Sequence, residues 1–237
     1  MIKKALMMCA LSAFAGAAAA APITVNMQDG MTYDTEAVAL YNTTGVQMAG
    51  MLVDVFYSDG SSEQVEWVAG EGTYGQAATD NWTLSLSGDS FSTRFRFQVG
   101  DIGDLFVVGL RMDGRSAQVV FDVVSDSVVS PGSAPGRTPL NVNGFSTTQA
   151  TLLTDFTYRH QVGVQGVIHG DLYALLDIGF NDPELGGLAS GGRISFLSDT
   201  DNTVSSIVLV SEPGALALML AGLAGLGFVS RRSSKSA

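Results

Sequence analysis

Cysteine is all but missing from this 237-residue chain: Cys9 is the only one, and it lies inside the first twenty residues. The rest of the chain therefore has no disulfide, no thiolate metal site and no cysteine nucleophile. Met7 and Met8 precede Cys9 and the apolar run continues past it, which excludes the lipid-bearing cysteine of a lipoprotein leader. Histidine is nearly as scarce, with only His160 and His169. An odd spacing puts them on opposite faces of an unbroken strand, unless Gly163, Gly166 or Gly170 marks a turn. The sequence nominates no further ligands to join them in a metal site.

Basic charge is the third shortage. Lysine and arginine number 12 against 23 acids, for a formal charge of −11. Five of the twelve sit at the ends: Lys3, Lys4, Arg231, Arg232 and Lys235. With Glu212 set aside, the middle of the chain keeps seven arginines and no lysine against 22 acids, a net charge of −15. Such a domain repels phosphate backbones, so nucleic acid is not expected as a partner. The excess acid either keeps an exported protein soluble or binds cations.

The two ends read as addresses. Residues 1–20 carry Lys3 and Lys4, an apolar stretch from Ala5 to Phe14 and then small residues, the three parts of a secretory signal peptide for the Sec translocon. Pro22 disfavours cutting after Ala21, so cleavage is expected after Ala20. At the other end Ser211-Glu212-Pro213 precedes an apolar run, Gly214 to Val229, and then the basic cluster Arg231, Arg232 and Lys235. A helix over that run is about 24 Å long at ~1.5 Å per residue, short of the ~30 Å hydrocarbon core. It spans marginally, with the basic cluster held on the cytoplasmic side.

Residues 211–237, with a transmembrane helix over 214–230, resemble the PEP-CTERM sorting signal of Gram-negative bacteria, in which Glu-Pro, an apolar helix and a terminal arginine cluster follow in that order. Ser211 stands where that signal usually begins with proline. The resemblance implies an exosortase substrate: a precursor held transiently at the inner membrane, then cut and released to the cell surface or the extracellular matrix alongside exopolysaccharide. No Leu-Pro-x-Thr-Gly signal is present, which argues against a Gram-positive sortase. An ordinary C-terminal membrane anchor is the alternative.

Between the addresses the pattern is that of strands. Phe91, Phe95, Phe97 and Val99 alternate with Ser92, Arg94, Arg96 and Gln98, a period of two. A preceding strand over Trp82–Leu86 is expected to join it through Ser87-Gly88-Asp89. Met51–Tyr57 and Gln64–Val68 flank Ser58-Asp59-Gly60-Ser61, and Leu105–Leu110 and Ala117–Val124 flank Met112-Asp113-Gly114-Arg115; both read as hairpins. Later strands are expected over 154–162, 163–169, 172–180 and 193–197. No helical period of useful length occurs between residues 22 and 210. The expectation is an all-β ectodomain over residues 21–210, a β-sandwich or jelly roll, with a long Pro/Gly/Ser-rich loop over 125–144. The segments Gly170–Tyr173, Arg193–Phe196 and Asp199–Asn202 are similar to all-β ectodomains found on proteins with this sorting tail; no activity comes with that similarity.

Candidate chemistry is sparse. Gly88-Asp89-Ser90 is similar to the nucleophile block of GDSL-type esterases, but those are α/β enzymes with a late Asp-x-x-His, and both features are lacking. Asp199, Asp201 and Asn202 crowd oxygen donors into what reads as one loop; the alternatives are a polar turn and a partial calcium site, and no EF-hand pattern accompanies them. Asp171, Asp177 and Asp182 are spread along a strand and its following loop. Trp67 shares parity with Val65 and Ala69 and is expected in the core, while Trp82 and Tyr74 could offer sugar-stacking faces. The reading is a non-catalytic exported surface or matrix protein. Its alternatives are a carbohydrate-binding module assisted by calcium and a secreted hydrolase with an acidic pair.

Replacing Glu212 and Pro213 by alanine should leave the precursor uncut in the membrane fraction. Mass spectrometry of mature wild-type protein should show the tail gone; a mature protein that keeps residues 211–237 is instead a plain membrane anchor.

Overall fold

The computed structural model describes residues 23–28, 30–40, 43–123 and 129–210. The expected signal peptide and sorting tail lie outside the described residues. The strands in chain order are β1 (Ile23–Gln28), β2 (Tyr33–Thr35), β3 (Val38–Leu40), β4 (Leu52–Tyr57), β5 (Ser62–Glu66), β6 (Val68–Ala69), β7 (Tyr74–Ala78), β8 (Trp82–Ser87) and β9 (Phe95–Val99). They continue with β10 (Val107–Asp113), β11 (Val119–Asp122), β12 (Phe145–Thr147), β13 (Leu153–Val164), β14 (Leu172–Asn181), β15 (Arg193–Phe196), β16 (Asp199–Thr203) and β17 (Val208–Leu209). Among the described residues the only helical pieces are two single 3-10 turns, Gly45–Met48 and Arg115–Ala117. The described residues are all-β, as their period-two patterning predicts.

The strands form two sheets. The smaller runs β6-β7-β8-β9-β15-β12, antiparallel throughout. The larger runs β17-β2-β13-β14-β10-β4-β5. Its long central pair, β13 and β14, is antiparallel from Leu153↔Asn181 to Gln161↔Tyr173, and β1 and β2 add to β13 in parallel. Strands on either side of the 125–144 segment share both sheets, since β9 pairs with β15 and β10 with β14.

The inward faces of the two sheets meet in one apolar core. Phe97 of the smaller sheet stacks on Phe180 of the larger at 6.0 Å between ring centroids. Phe95 stacks on Phe196 at 5.3 Å, and Phe196 meets Phe156 across the sheets at 5.5 Å. Burying each such ring contributes roughly 1.5–3 kcal/mol, so this aromatic seam is a principal source of cohesion between the layers. A smaller cluster of Tyr33, Val38, Val120, Val162, Val164, Leu172, Ala174 and Ile207 forms a second apolar patch. Trp67 is fully buried, and its indole N–H donates to the Gly45 carbonyl at 2.7 Å.

The expected hairpin at Ser58–Ser61 is present: β4 and β5 pair from Leu52↔Glu66 to Phe56↔Ser62. Its Gly60 sits at φ +85°, and the Asp59 carboxylate accepts from the Ser61 N–H and hydroxyl. The second expected hairpin is not. Gly114 adopts φ −83° and ψ −8°, whereas a two-residue Asp-Gly hairpin turn needs positive φ there. Asp113 instead pairs with Arg115, and the chain continues forward, so that β10 and β11 lie end to end against β14. Residues 163–169 are not a separate strand either. β13 runs on to Val164 and ends in a tight turn with Gln165 at φ 53° and Gly166 at φ 78°. Phe91 and Ser92 fall outside β9 because Asp89 caps a turn, accepting from the Ser92 N–H and hydroxyl at 2.8 Å each.

The contact between Trp67 and the 3-10 turn has no slack. A Cβ on Gly75 would lie 2.1 Å from the Gly45 carbonyl oxygen and 2.3 Å from Trp67 Nε1. Gly75→Ala should lower stability by about 3 kcal/mol, the upper end of overpacking costs. Gly60→Ala, where a Cβ meets nothing within 4 Å, should cost about 1 kcal/mol through its φ alone. Urea unfolding of the two variants checks the order; equal midpoints would refute it.

Candidate metal centre

The sequence Asp199-Thr200-Asp201-Asn202 is a strand, not a loop. β16 pairs antiparallel with β11 in the register Val119↔Asn202, Val120↔Asp201, Phe121↔Thr200 and Asp122↔Asp199. Cross-strand partners share a face, so Asp122, Asp199 and Asp201 emerge together, while Val119, Phe121 and Val123 enter the core. One carboxylate oxygen from each of the three lies within 4.8 Å of the other two. Asn202 does not belong to the group: its amide accepts from Thr43 Oγ1 at 2.9 Å and donates to the Gln47 carbonyl at 3.2 Å. Asp122 takes the place that the sequence assigned to Asn202. Its strand parity is readable from sequence, but its pairing with β16 is not.

All three carboxylates are buried, at 1% (Asp122), 1% (Asp199) and 0% (Asp201) exposure. What helps to cover them is the described part of the long loop. Ser133 Oγ sits 2.7 Å from Asp122 Oδ2 and 2.5 Å from Asp201 Oδ2. Ser130 caps a fourth buried acid, Asp171, donating its N–H and its hydroxyl at 2.6 Å each. Arg137 lays its guanidinium over the Phe91 ring at 4.1 Å, and its carbonyl accepts the Asp199 N–H at 2.9 Å.

Among the described residues no arginine pairs with this cluster. The salt bridges among the described residues join Arg115 to Asp113, and Arg111 and Arg159 to Asp177. Removal from water pushes the Asp122 carboxyl up to about 8, against the Ser133 hydrogen bond and with help from Asp201, Asp199 and Asp171. Burial raises Asp199 to about 7, with the charge of Asp201 adding to it, and raises Asp201 to about 7. The arrangement is one of hard oxygen donors, suited to a cation or to shared protons.

The remaining candidates are placed as follows. Ser90 is fully buried, and its hydroxyl lies 3.2 Å from Asp199 Oδ1 and accepts from the Thr200 N–H and hydroxyl at 3.0 and 2.9 Å. It ties a turn of the smaller sheet to β16 and has no histidine partner among its hydrogen bonds. His160 occupies φ 66°, a break in the β13 ladder, with Nδ1 buried against Gly30 and without a partner. Burial, and next the Arg115 charge, lower its pKa. The turn at Gln165-Gly166 separates His169 from it, so the opposite-face argument does not apply.

Trp82 is also buried, and its N–H donates to Glu63 at 2.8 Å, so neither tryptophan offers a sugar-stacking face. Tyr74 is half-buried and donates to Gln76. Glu63 lines a cavity of about 300 Å³ with Tyr57, Asn81 and Asp101. Burial opposes its ionisation, but hydrogen bonds from Asn81, Thr79 and Trp82 outweigh that and lower its pKa, which suits a clamp between sheets better than a general acid. Asp182 is likewise occupied, accepting from Gln149, Thr151 and two backbone N–H groups. The chain matches no protein-family model, no curated protein and no solved structure.

The raised carboxyls set a pH dependence. Each holds its proton more tightly in the fold than in the unfolded chain, where aspartate titrates near ~3.9. The folded state therefore binds more protons between about pH 4 and pH 8, and stability in chelator should fall as pH rises through that window, then level off. Urea midpoints in EGTA should be higher at pH 5 than at pH 8, and Asp201→Asn should flatten the slope. A midpoint that rises toward pH 8 would contradict the assignment.

Proposed function

We propose that this is an exported, non-catalytic surface or extracellular-matrix protein, delivered through the Sec translocon and an exosortase, whose smaller sheet holds an acidic exopolysaccharide. The observation that carries the reading is a concentration of unpaired arginine on one outer face of an acidic protein. Arg96 of β9 and Arg193 of β15 are diagonal neighbours on that face, because Arg193 pairs with Gln98 and Ser195 with Arg96. Both are exposed, and neither makes an ion pair among the described residues. Arg94 joins them, donating to the Ser146 and Ser195 hydroxyls at 3.2 and 3.4 Å.

The face suits a chain of sugars bearing carboxylates. Ser146, Ser195, Arg96, Ser85 and Gln76 form a row across five strands, roughly 19 Å long at ~4.8 Å per strand. Beside it Arg96, Gln98, Ser146, Thr148 and Arg193 line an open depression of about 340 Å³. Guanidinium groups pair with carboxylates through two parallel hydrogen bonds, and the flanking hydroxyls and amides can bond sugar hydroxyls. A polyuronate carries about one carboxylate per sugar, a lower charge density than duplex DNA with one charge per ~1.7 Å of axis. The non-catalytic part of the reading is supported by Ser90, whose hydroxyl is enclosed, and by the acidic cluster, which is closed to solvent.

The full chain in detergent should bind polygalacturonate and not dextran. Arg96→Ser with Arg193→Ser should weaken that binding at least ten-fold while leaving the thermal midpoint unchanged. Equal binding of dextran, or full retention by the double variant, would remove this function.

A further inference from the structure

We infer that Asp122, Asp199 and Asp201, with the Ser133 hydroxyl, form a buried calcium site that fastens the 129–144 segment to the larger sheet. This stands independently of any polysaccharide on the opposite sheet. The spacing comes first. Ligands of one calcium ion sit at 2.3–2.6 Å from it, so two of them are at most about 5 Å apart. The three carboxylate oxygens, all within 4.8 Å of one another, satisfy that limit.

The second observation is a shortage of hydrogen. Asp122 Oδ1 and Asp201 Oδ1 are buried with no hydrogen-bond donor, on residues 1% and 0% exposed. Buried carboxylate oxygens are normally satisfied, and leaving two bare in one cluster is costly. Ser133 cannot make up the deficit. Its single hydroxyl proton faces Asp122 Oδ2 at 2.7 Å, Asp201 Oδ2 at 2.5 Å and the Ala134 carbonyl at 3.1 Å. It can serve one of them, so with the carboxyls ionised the other contacts are oxygen against oxygen. A cation bound by the carboxylates and by a serine lone pair removes that conflict.

The donor set selects the ion. Every donor is a hard oxygen, with no histidine or thiolate, which disfavours zinc and copper. Magnesium keeps several waters and an octahedral shell. Space for such waters is scarce here, because the backbone of Gly136 abuts the cluster: a Cβ there would lie 2.5 Å from Asp122 Oδ1. Calcium takes about six to eight oxygens in an irregular shell and can use both oxygens of a carboxylate, so three aspartates and a serine hydroxyl can supply most of its shell with little water. Two of its ligands would come from β16, one from β11 and one from the loop, so the ion joins segments distant in the chain.

The test uses the full chain in detergent, purified without chelator. Elemental analysis should find one calcium per chain. After EGTA treatment, millimolar calcium chloride should raise the thermal midpoint, and magnesium chloride at equal concentration should not. Trypsin reports on the loop directly, since Arg137-Thr138 lies within it. Cleavage there should be at least ten-fold slower in calcium than in EGTA. Asp201→Asn should abolish both responses, and Asp155→Asn, an exposed acid on β13, should leave them intact. If Asp201→Asn does not fold, Ser133→Ala keeps every carboxylate and should show a weakened calcium response. Absence of calcium from the purified chain, identical melting and cleavage in calcium and EGTA, an equal effect of magnesium, or a full response from Asp201→Asn or Ser133→Ala would each overturn the site; the carboxyls would then be holding protons instead.

Discussion

Three carboxylates are buried side by side on the β11–β16 pair with no arginine among the described residues to meet them. The architecture around them follows from that constraint. A buried charge must be neutralised by a partner, a metal or a proton, and each carboxylate oxygen needs a donor. The 129–144 segment supplies what donors it can, from Ser130 and Ser133, and takes up its path across the sheet in doing so. Arg137 on Phe91 and the Arg137 carbonyl on Asp199 hold the far side of that path. The loop is long and rich in glycine, proline and serine, but it is tethered at short intervals to buried acids.

The same acids couple the layers. Ser90, in the turn that leaves the smaller sheet, meets Asp199 and Thr200 of the larger one. Glu63 performs a parallel task elsewhere, reaching from β5 to Asn81 and Trp82. Between these polar ties lies the seam of Phe97 on Phe180 and Phe196 on Phe156. Apolar burial supplies most of the cohesion, and the polar ties fix where the two sheets sit relative to each other. With arginines 111, 115 and 159 engaged in ion pairs, arginines 94, 96 and 193 are left together on the outer face of the smaller sheet.

Polar spacing misleads where turn chemistry competes with alternation. Phe91 and Ser92 fit a period of two, yet the Asp89 carboxylate captures Ser92 and bends the chain before β9 begins. Met112-Asp113-Gly114-Arg115 has the composition of a hairpin, yet the Asp113–Arg115 pair and the room available along β14 carry the chain forward. In Asp199–Asn202, four polar residues in a row look like a turn; β11 and β3 on either side make them a buried strand.

What the sequence determined by itself was local. The period-two alternation of β8 and β9 and the β4–β5 hairpin with its Asp-Gly turn depend on neighbours two residues away, the range over which side-chain alternation acts. Trp67 is buried as expected, but Ala69, its expected companion on that face, is exposed. The all-β character follows from the repetition of that signal. The candidate site could be read only in part, because its members come from different strands. Asp199 and Asp201 share a face by parity alone, but Asp122 reaches them through the register of β11 on β16, and Ser133 through the route of a loop without period. Register between strands distant in the chain is decided by how the whole core packs, since a slip of one residue would turn Val119, Phe121 and Val123 outward. That choice, made by the tertiary structure, placed the third carboxylate beside the other two.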